Sequence, residues 1–139
     1  MLAVADTSVI ISAVLTNSAG HNESVAALAT AGARAAGHAW IEAYSVLTRL
    51  PPDVRLNGPD ALRVLASAIG GVRHLSQTEQ KQFQKWLAGS DVVGGAVYDA
   101  LVGFVAKVAS VPLITRDARA IPTYRQLGIE VLVLDPQLT

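Results

Sequence analysis

The stretch from Ala96 to Ala120, AVYDALVGFVAKVASVPLITRDARA, constrains this chain more than any other. From Ala96 to Ala109 it is apolar nearly all round, and Lys107 is the only charge after Asp99. A helix apolar on every face belongs in an interior, so the pattern predicts a buried helix with Asp99 in its first turn. Ser110, Val111 and Pro112 break it. Pro112-Leu113-Ile114 has the short apolar run of a buried parallel strand, and Thr115-Arg116-Asp117 falls where that strand must end. In open α/β sheets, loops at the carboxyl ends of strands hold the ligand. An acid at a helix start and another at a strand end are therefore placed to meet in one pocket.

The rest of the chain alternates in the same way. Leu2 to Ala5 reads as a central strand, Asp6-Thr7-Ser8 as a junction, and Val9 to Leu15 as a helix. Asp6 reads equally well as an N-cap or as a metal ligand. Asn22 is placed to cap a helix from Glu23 to Ala35, closed by Gly37. His38-Ala39-Trp40 is expected as a short strand leading into the helix IEAYSVLTRL, whose apolar face is Ala43, Val46, Leu47 and Leu50. Glu42 lies at the edge of that face, in the first turn. Taken alone, it is an acid favoured by the helix dipole. Gly58-Pro59 opens a helix to Ala68, and Val72 to Leu75 is a strand. Ser76 and Glu79 form a capping box for a helix to Ala88, with Phe83, Trp86 and Leu87 facing inward. The glycine-rich GSDVVGG from Gly89 to Gly95 is expected to be mobile, and it lacks the GK[ST] of a phosphate loop. A short helix from Thr123 to Leu127 precedes a last strand from Ile129 to Leu134, with Asp135 as a turn residue. This alternation predicts an α/β fold around a mainly parallel sheet.

Composition narrows the function. A length of 139 residues suits one domain, residues 1–139, burying about 70% of its unfolded surface. The apolar fraction is 51%, but the longest apolar stretch, Val97 to Ile114, is interrupted by Asp99, Lys107 and Pro112. No membrane span is expected. Asp6 interrupts the first apolar run and no basic start precedes it, so a cytoplasmic protein is expected rather than a secreted one. The absence of cysteine rules out disulfides and thiolate metal sites. The three histidines have no metal-binding spacing: His21 reads as a solvated loop residue, and His38 and His74 as satisfied core residues.

Four acids share a placement beside segments that should be buried: Asp6, Glu42, Asp99 and Asp117. Together they would repel one another and be costly to desolvate without a cation. Ligands that are all oxygen select Mg²⁺ or Mn²⁺ over Zn²⁺. With those four in one pocket, seven other acids would face 11 Lys and Arg, an excess of four positive charges around an acidic centre.

The segments DTSVIISAVL, IEAYSVLTRL and YDALVGFVAKVASVPLITRD, in that order, resemble the PIN-domain ribonucleases, and among them the VapC-type toxins of bacterial toxin–antitoxin pairs. The resemblance spans Leu2 to Leu134. It implies a three-layer α/β/α PIN-like domain and a metal-dependent endoribonuclease acting as the toxin of a type II pair. Asp6, Glu42, Asp99 and Asp117 match the family's carboxylate quartet, and Thr115 matches a polar position beside it. The implied roles are Asp6 and Asp99 on a Mg²⁺ or Mn²⁺, with Glu42 and Asp117 acting directly or through water. RNA as substrate, a VapB-like antitoxin and a homodimer also come from the resemblance. Arg116, Arg119 and Lys107 are candidate RNA contacts, each otherwise a solvated charge. GSDVVGG before Asp99 is more glycine-rich than the family pattern leads one to expect.

Other classes fit less well. A dehalogenase-type phosphohydrolase needs a second Asp two residues after the first, where Ser8 stands, and a receiver domain needs paired acids near the first strand. A catalytically inactive PIN-like module that binds RNA or protein is the alternative, and intact acids at all four positions count against it.

Overall fold

The computed structural model describes residues 2–134. A five-stranded, all-parallel sheet of order β3-β2-β1-β4-β5 forms the centre. Its strands are short: β1 is Val4–Ala5, β2 Arg34–Ala36, β3 Val72–Arg73, β4 Leu113–Thr115 and β5 Val131–Val133. Helices α1 (Thr7–Val14), α2 (His21–Ala31), α3 (Gly37–Thr48), α4 (Gly58–Ala68), α5 (Gln77–Ala88), α6 (Ala96–Ala109) and α7 (Ile121–Gln126) connect and cover them. The result is the three-layer α/β/α arrangement that the alternating pattern and the resemblance imply. Among the described residues no helix is long and apolar enough to cross a membrane.

From β1 the chain steps outward through β2 to β3, then returns to the other side of β1 for β4 and β5. The direction of winding therefore reverses between β1 and β4. Such a switch point leaves a crevice at the carboxyl ends of its two strands, where ligands bind in open α/β sheets. The backbone holds this edge closely, with the Val4 amide donating to Pro112 O at 3.0 Å and the Asp6 amide to Ile114 O at 3.2 Å.

Several local expectations are corrected. The strand expected at His38-Ala39-Trp40 is helix, because β2 ends at Ala36 and α3 begins at Gly37. Glu42 consequently stands in the second turn of α3 rather than the first. A side chain at position 37 would collide with His74, whose Nδ1 lies 2.5 Å from where a Cβ would sit, so glycine allows β2 to turn directly into α3 against the end of β3. Helix α2 starts after Gly20 and ends at Gly32, both in the left-handed region; Asn22 does not cap it and Gly37 does not close it. The Gly89–Gly95 segment is tied down near its start. Ser90 Oγ donates to Leu87 O at 2.9 Å and accepts from the Val92 amide at 3.1 Å, and Val92 is buried beside Phe83, Ala100, Phe104 and Leu127. His74 is exposed rather than in the core. Asp135 lies outside the described residues.

The capping box of α5 is as expected, and it extends into an ion pair. Glu79 accepts from the Ser76 amide and, through both oxygens, from Arg73 at 2.9 and 3.0 Å. Arg73 and that amide hold the Glu79 carboxyl down at about 2. A depressed carboxyl stabilises the fold above its ordinary value and loses that contribution as pH falls toward the folded value. Glu79→Gln is thus expected to lower the melting temperature at neutral pH, by about 1 kcal/mol in stability, and to converge with the wild type near pH 2. Thermal melts of both proteins across that range check it.

Candidate active site

Each of the four acids reaches the carboxyl edge of the sheet by a different route. Asp6 follows β1 and Asp117 follows β4, so they flank the switch point. Glu42 comes from α3, which starts where β2 ends. Asp99 sits in the first turn of α6, which runs back across the sheet to feed β4 and so begins at the carboxyl edge. Helices α3 and α6 pack against each other there.

Asp6 is buried, 4% exposed, and saturated with hydrogen bonds. It does cap α1: Oδ1 accepts from the amides of Ser8 at 3.1 Å and Val9 at 3.4 Å, and from Ser8 Oγ at 2.5 Å. Its Oδ2 accepts from Thr115 Oγ1 at 2.5 Å and Tyr124 OH at 2.9 Å. Ser8 Oγ in turn accepts from the Arg116 amide at 2.8 Å, and Thr115 Oγ1 from the Asp117 amide at 2.9 Å. With their lone pairs engaged by backbone donors, both hydroxyls direct their protons to Asp6. Burial raises the Asp6 carboxyl above its ordinary range, against the pull of Ser8, Thr115, Tyr124 and the Val9 amide. Tyr124, only 1% exposed, is also held far above its ordinary value, first by burial and then by Asp6, so it remains a proton donor.

Asp99 has the opposite surroundings. Its helix cap is Gly95, with no side-chain cap bond, so Asp99 is not the cap of α6. Burial, then the charges of Asp117, Asp6 and Glu42, push its carboxyl up to about 6, with Arg119 opposing. Asp99 therefore feels the charges of the other three acids. Asp117 Oδ1 accepts from the Arg119 amide at 3.0 Å and from its Nε at 3.4 Å. Glu42 Oε1 lies 2.9 Å from His38 Nε2, and the His38 ring stacks on Tyr98 with centroids 5.1 Å apart. His38 is thus a partner of the acidic site and not a core residue.

The candidate cationic contacts separate. Arg119 is 93% exposed beside Asp117. Arg116 is buried, with its guanidinium against Gly20 and Nη1 without a partner among the described residues, so it is not a solvated charge. Lys107 donates to Leu127 O at 2.7 Å, at the other end of α6. Eight residues of helix place it about 12 Å from Asp99. Ser8 and Tyr124 escaped the sequence reading. Ser8 could have been found as a second hydroxyl in the Asp6 junction, but nothing local marks Tyr124, which lies 118 residues from Asp6.

The donor set, carboxylates alone on an edge where burial and mutual repulsion oppose charge, suits a hard divalent cation. Among the described residues no three acidic or histidine side chains stand close enough to ligate one ion without moving. Asp6, with five donors on its two oxygens, has the least capacity to spare.

The PIN-domain pattern matches residues 3–126 of the chain. Ribonuclease VapC40 of Mycobacterium tuberculosis (strain CDC 1551 / Oshkosh) is 44% identical over 128 residues, which cover 91% of this chain and 94% of that protein. Ribonuclease VapC27 of Mycobacterium tuberculosis (strain ATCC 25618 / H37Rv) is 43% identical over 128 residues, 92% and 93% of the two chains. Among solved structures, VapBC2 from Rickettsia felis, bound to a DNA fragment from its promoter, has a similar fold. It aligns with a TM-score of 0.71 at 12% identity, over 97% of this chain and all of that one.

Proposed function

Because the chain belongs to the PIN-domain family, and within it to the VapC-type ribonucleases, we propose that it is a Mg²⁺- or Mn²⁺-dependent endoribonuclease, the toxin of a type II toxin–antitoxin pair. The observation that carries this reading is the placement of Asp6, Glu42, Asp99 and Asp117 on one edge at the switch point of the sheet, where burial and the charges of the other three raise the Asp99 carboxyl. An arrangement of that kind is unfavourable unless a cation offsets it. Asp99, Glu42 and Asp117 would hold the metal, joined by Asp6 once it yields one of its donors. When bound, the metal acidifies water and offsets charge on the phosphate oxygens. The chain's own residues set the stage for that chemistry. Thr115, Ser8 and Tyr124 fix the Asp6 carboxylate in one orientation, and His38 fixes Glu42. Arg119, exposed beside Asp117, is placed to meet an RNA phosphate. Arg116 supports the site through its amide on Ser8.

The partner is a VapB-like antitoxin, a reading supported by the fold shared with the VapBC2 pair, and the working form is a homodimer. Light scattering at tens of micromolar is expected to give a dimer mass, and a monomer mass would contradict that part. The activity test is cleavage of single-stranded RNA with Mg²⁺ or Mn²⁺ and with EDTA. Cleavage is expected only with the cations, while far-UV circular dichroism remains native in EDTA, because a core of this size does not need a metal to fold. Full cleavage in EDTA would overturn the metal-dependent reading. RNA binding without cleavage under any cation would favour an inactive binding module.

A further inference from the structure

Beside Glu42 and Asp99 lies an aromatic ring that the chemistry above does not use. Tyr98 immediately precedes Asp99 in the first turn of α6 and is 55% exposed, a large ring left open to solvent next to the acidic site. One face is covered: the His38 ring lies 5.1 Å away, centroid to centroid, and within 16° of parallel. His38 is itself held through Nε2 on Glu42 at 2.9 Å. The ring is therefore backed by a residue anchored to the candidate metal site, while its other face is open. A cleft lined by His38, Glu42, Gly95, Tyr98 and Asp99 joins the ring to the acids. A Cβ at Gly95 would meet nothing within 4 Å, so the cleft is open at that position of its wall.

We infer that Tyr98 is a stacking platform for one base of a single-stranded RNA, a base next to the phosphodiester that is cut. This rests on the ribonuclease reading above. A flat ring with one face buttressed and one face free takes any base, because every base has a π-face, and each stacked base strengthens binding by about 5- to 100-fold. The platform would set where the strand lies relative to Glu42 and Asp99 without demanding a particular sequence. His38 acts here as a positioning residue, holding both the ring and the acid in one frame.

The test uses a short single-stranded oligoribonucleotide that the wild type cleaves, and a series in which each base in turn is removed. Affinity is read by fluorescence anisotropy in EDTA, and KM and kcat with Mn²⁺. For Tyr98→Ala a 5- to 100-fold loss of affinity is expected, with a matching rise in KM, and Tyr98→Phe should restore both. In the wild type, one abasic position should reproduce the loss, and in Tyr98→Ala that same position should have no further effect. If Tyr98→Ala does not fold, Tyr98→Leu keeps the bulk without the π-face and carries the same comparison. Wild-type affinity and an unchanged abasic profile in the variant would overturn the platform and leave the ribonuclease standing. A variant that changes oligomer mass while binding RNA as tightly per chain would assign the ring to a protein interface and also overturn it. A wild type that neither binds nor cleaves any single-stranded RNA would remove the ribonuclease reading, and the platform with it.

Discussion

Asp99→Asn is expected to reduce RNA cleavage by about 10²- to 10³-fold or more while making the metal-free fold more stable. The change is nearly isosteric, so packing around α6 is kept. What it removes is a charge that burial, Asp117, Asp6 and Glu42 all oppose. The folded carboxyl sits at about 6 against an ordinary value of 3.8, so the folded state holds the proton more tightly than the unfolded chain does. Ionising it therefore costs stability, a cost that grows as pH rises from about 4 through about 6 and is constant above. Asn avoids that cost. After allowance for solvent screening of a half-buried group, the gain at pH 7 is on the order of 1 kcal/mol, about 3 °C in melting temperature. It should vanish below pH 4. Because Gly95 and not Asp99 caps the helix, no lost cap offsets the gain. Wild-type cleavage by Asp99→Asn would remove this residue from the site. Equal melting curves for both proteins at pH 4 and pH 7 would remove the repulsion argument.

Gly103→Val should damage both the fold and the site. Gly103 faces Tyr124 of α7 and Leu127 just after it. A Cβ there would fall 2.6 Å from Leu127 Cδ1 and 2.9 Å from Tyr124 Cδ1. Leu127 and Tyr124 are each only 1% exposed, so neither has free space to retreat into. Overpacking of this kind costs about 1–3 kcal/mol. The better helix propensity of a residue with a side chain returns less than about 1 kcal/mol. The Tyr124 ring would be forced from its place, and with it the phenol that donates to Asp6. Cleavage should therefore fall together with the melting temperature. Tyr124→Phe separates the two effects, since it keeps the ring and removes only the donor. A Gly103→Val protein as stable and active as the wild type would mean that α7 shifts freely and that Tyr124 is not needed on Asp6.

Much of this was legible in the sequence, for local reasons. The α6–β4 unit announces itself because a fourteen-residue helix with so few charges must bury most of its length, and Ser76 and Glu79 announce α5 because a capping box is a local device. β2 was not legible. Arg-Ala-Ala carries no β-branched or aromatic residue, and it is a strand because its neighbours β1 and β3 supply the hydrogen bonds. Missing it moved the start of α3 and put Glu42 one turn too early. The four acids stood out only as a set, from their shared placement beside segments that should be buried, since Asp6 and Glu42 each read as well or better as a cap or a dipole partner when taken alone. Of their supports only Thr115 was indicated, by the resemblance; Tyr124 and His38 acquire their roles through contacts across the fold, and spacing along the chain carries no trace of the Tyr124–Asp6 or Tyr98–His38 pairs. Arg116 shows the same limit in reverse, since a charged residue in a TRD triplet reads as exposed, and only the fold turns it inward against Gly20.

If the acids at the β1–β4 switch point hold a divalent cation for phosphodiester cleavage, as proposed, the melting temperatures of metal-free wild type and Asp99→Asn should diverge in their response as Mn²⁺ is added at pH 7. Binding to the folded state alone stabilises it by about 2.7 kcal/mol when the cation reaches a hundred times its Kd. The wild type should therefore rise by about 8 °C and Asp99→Asn, starting higher, should rise much less. No rise in the wild type at millimolar Mn²⁺, or an equal rise in both proteins, would contradict the account.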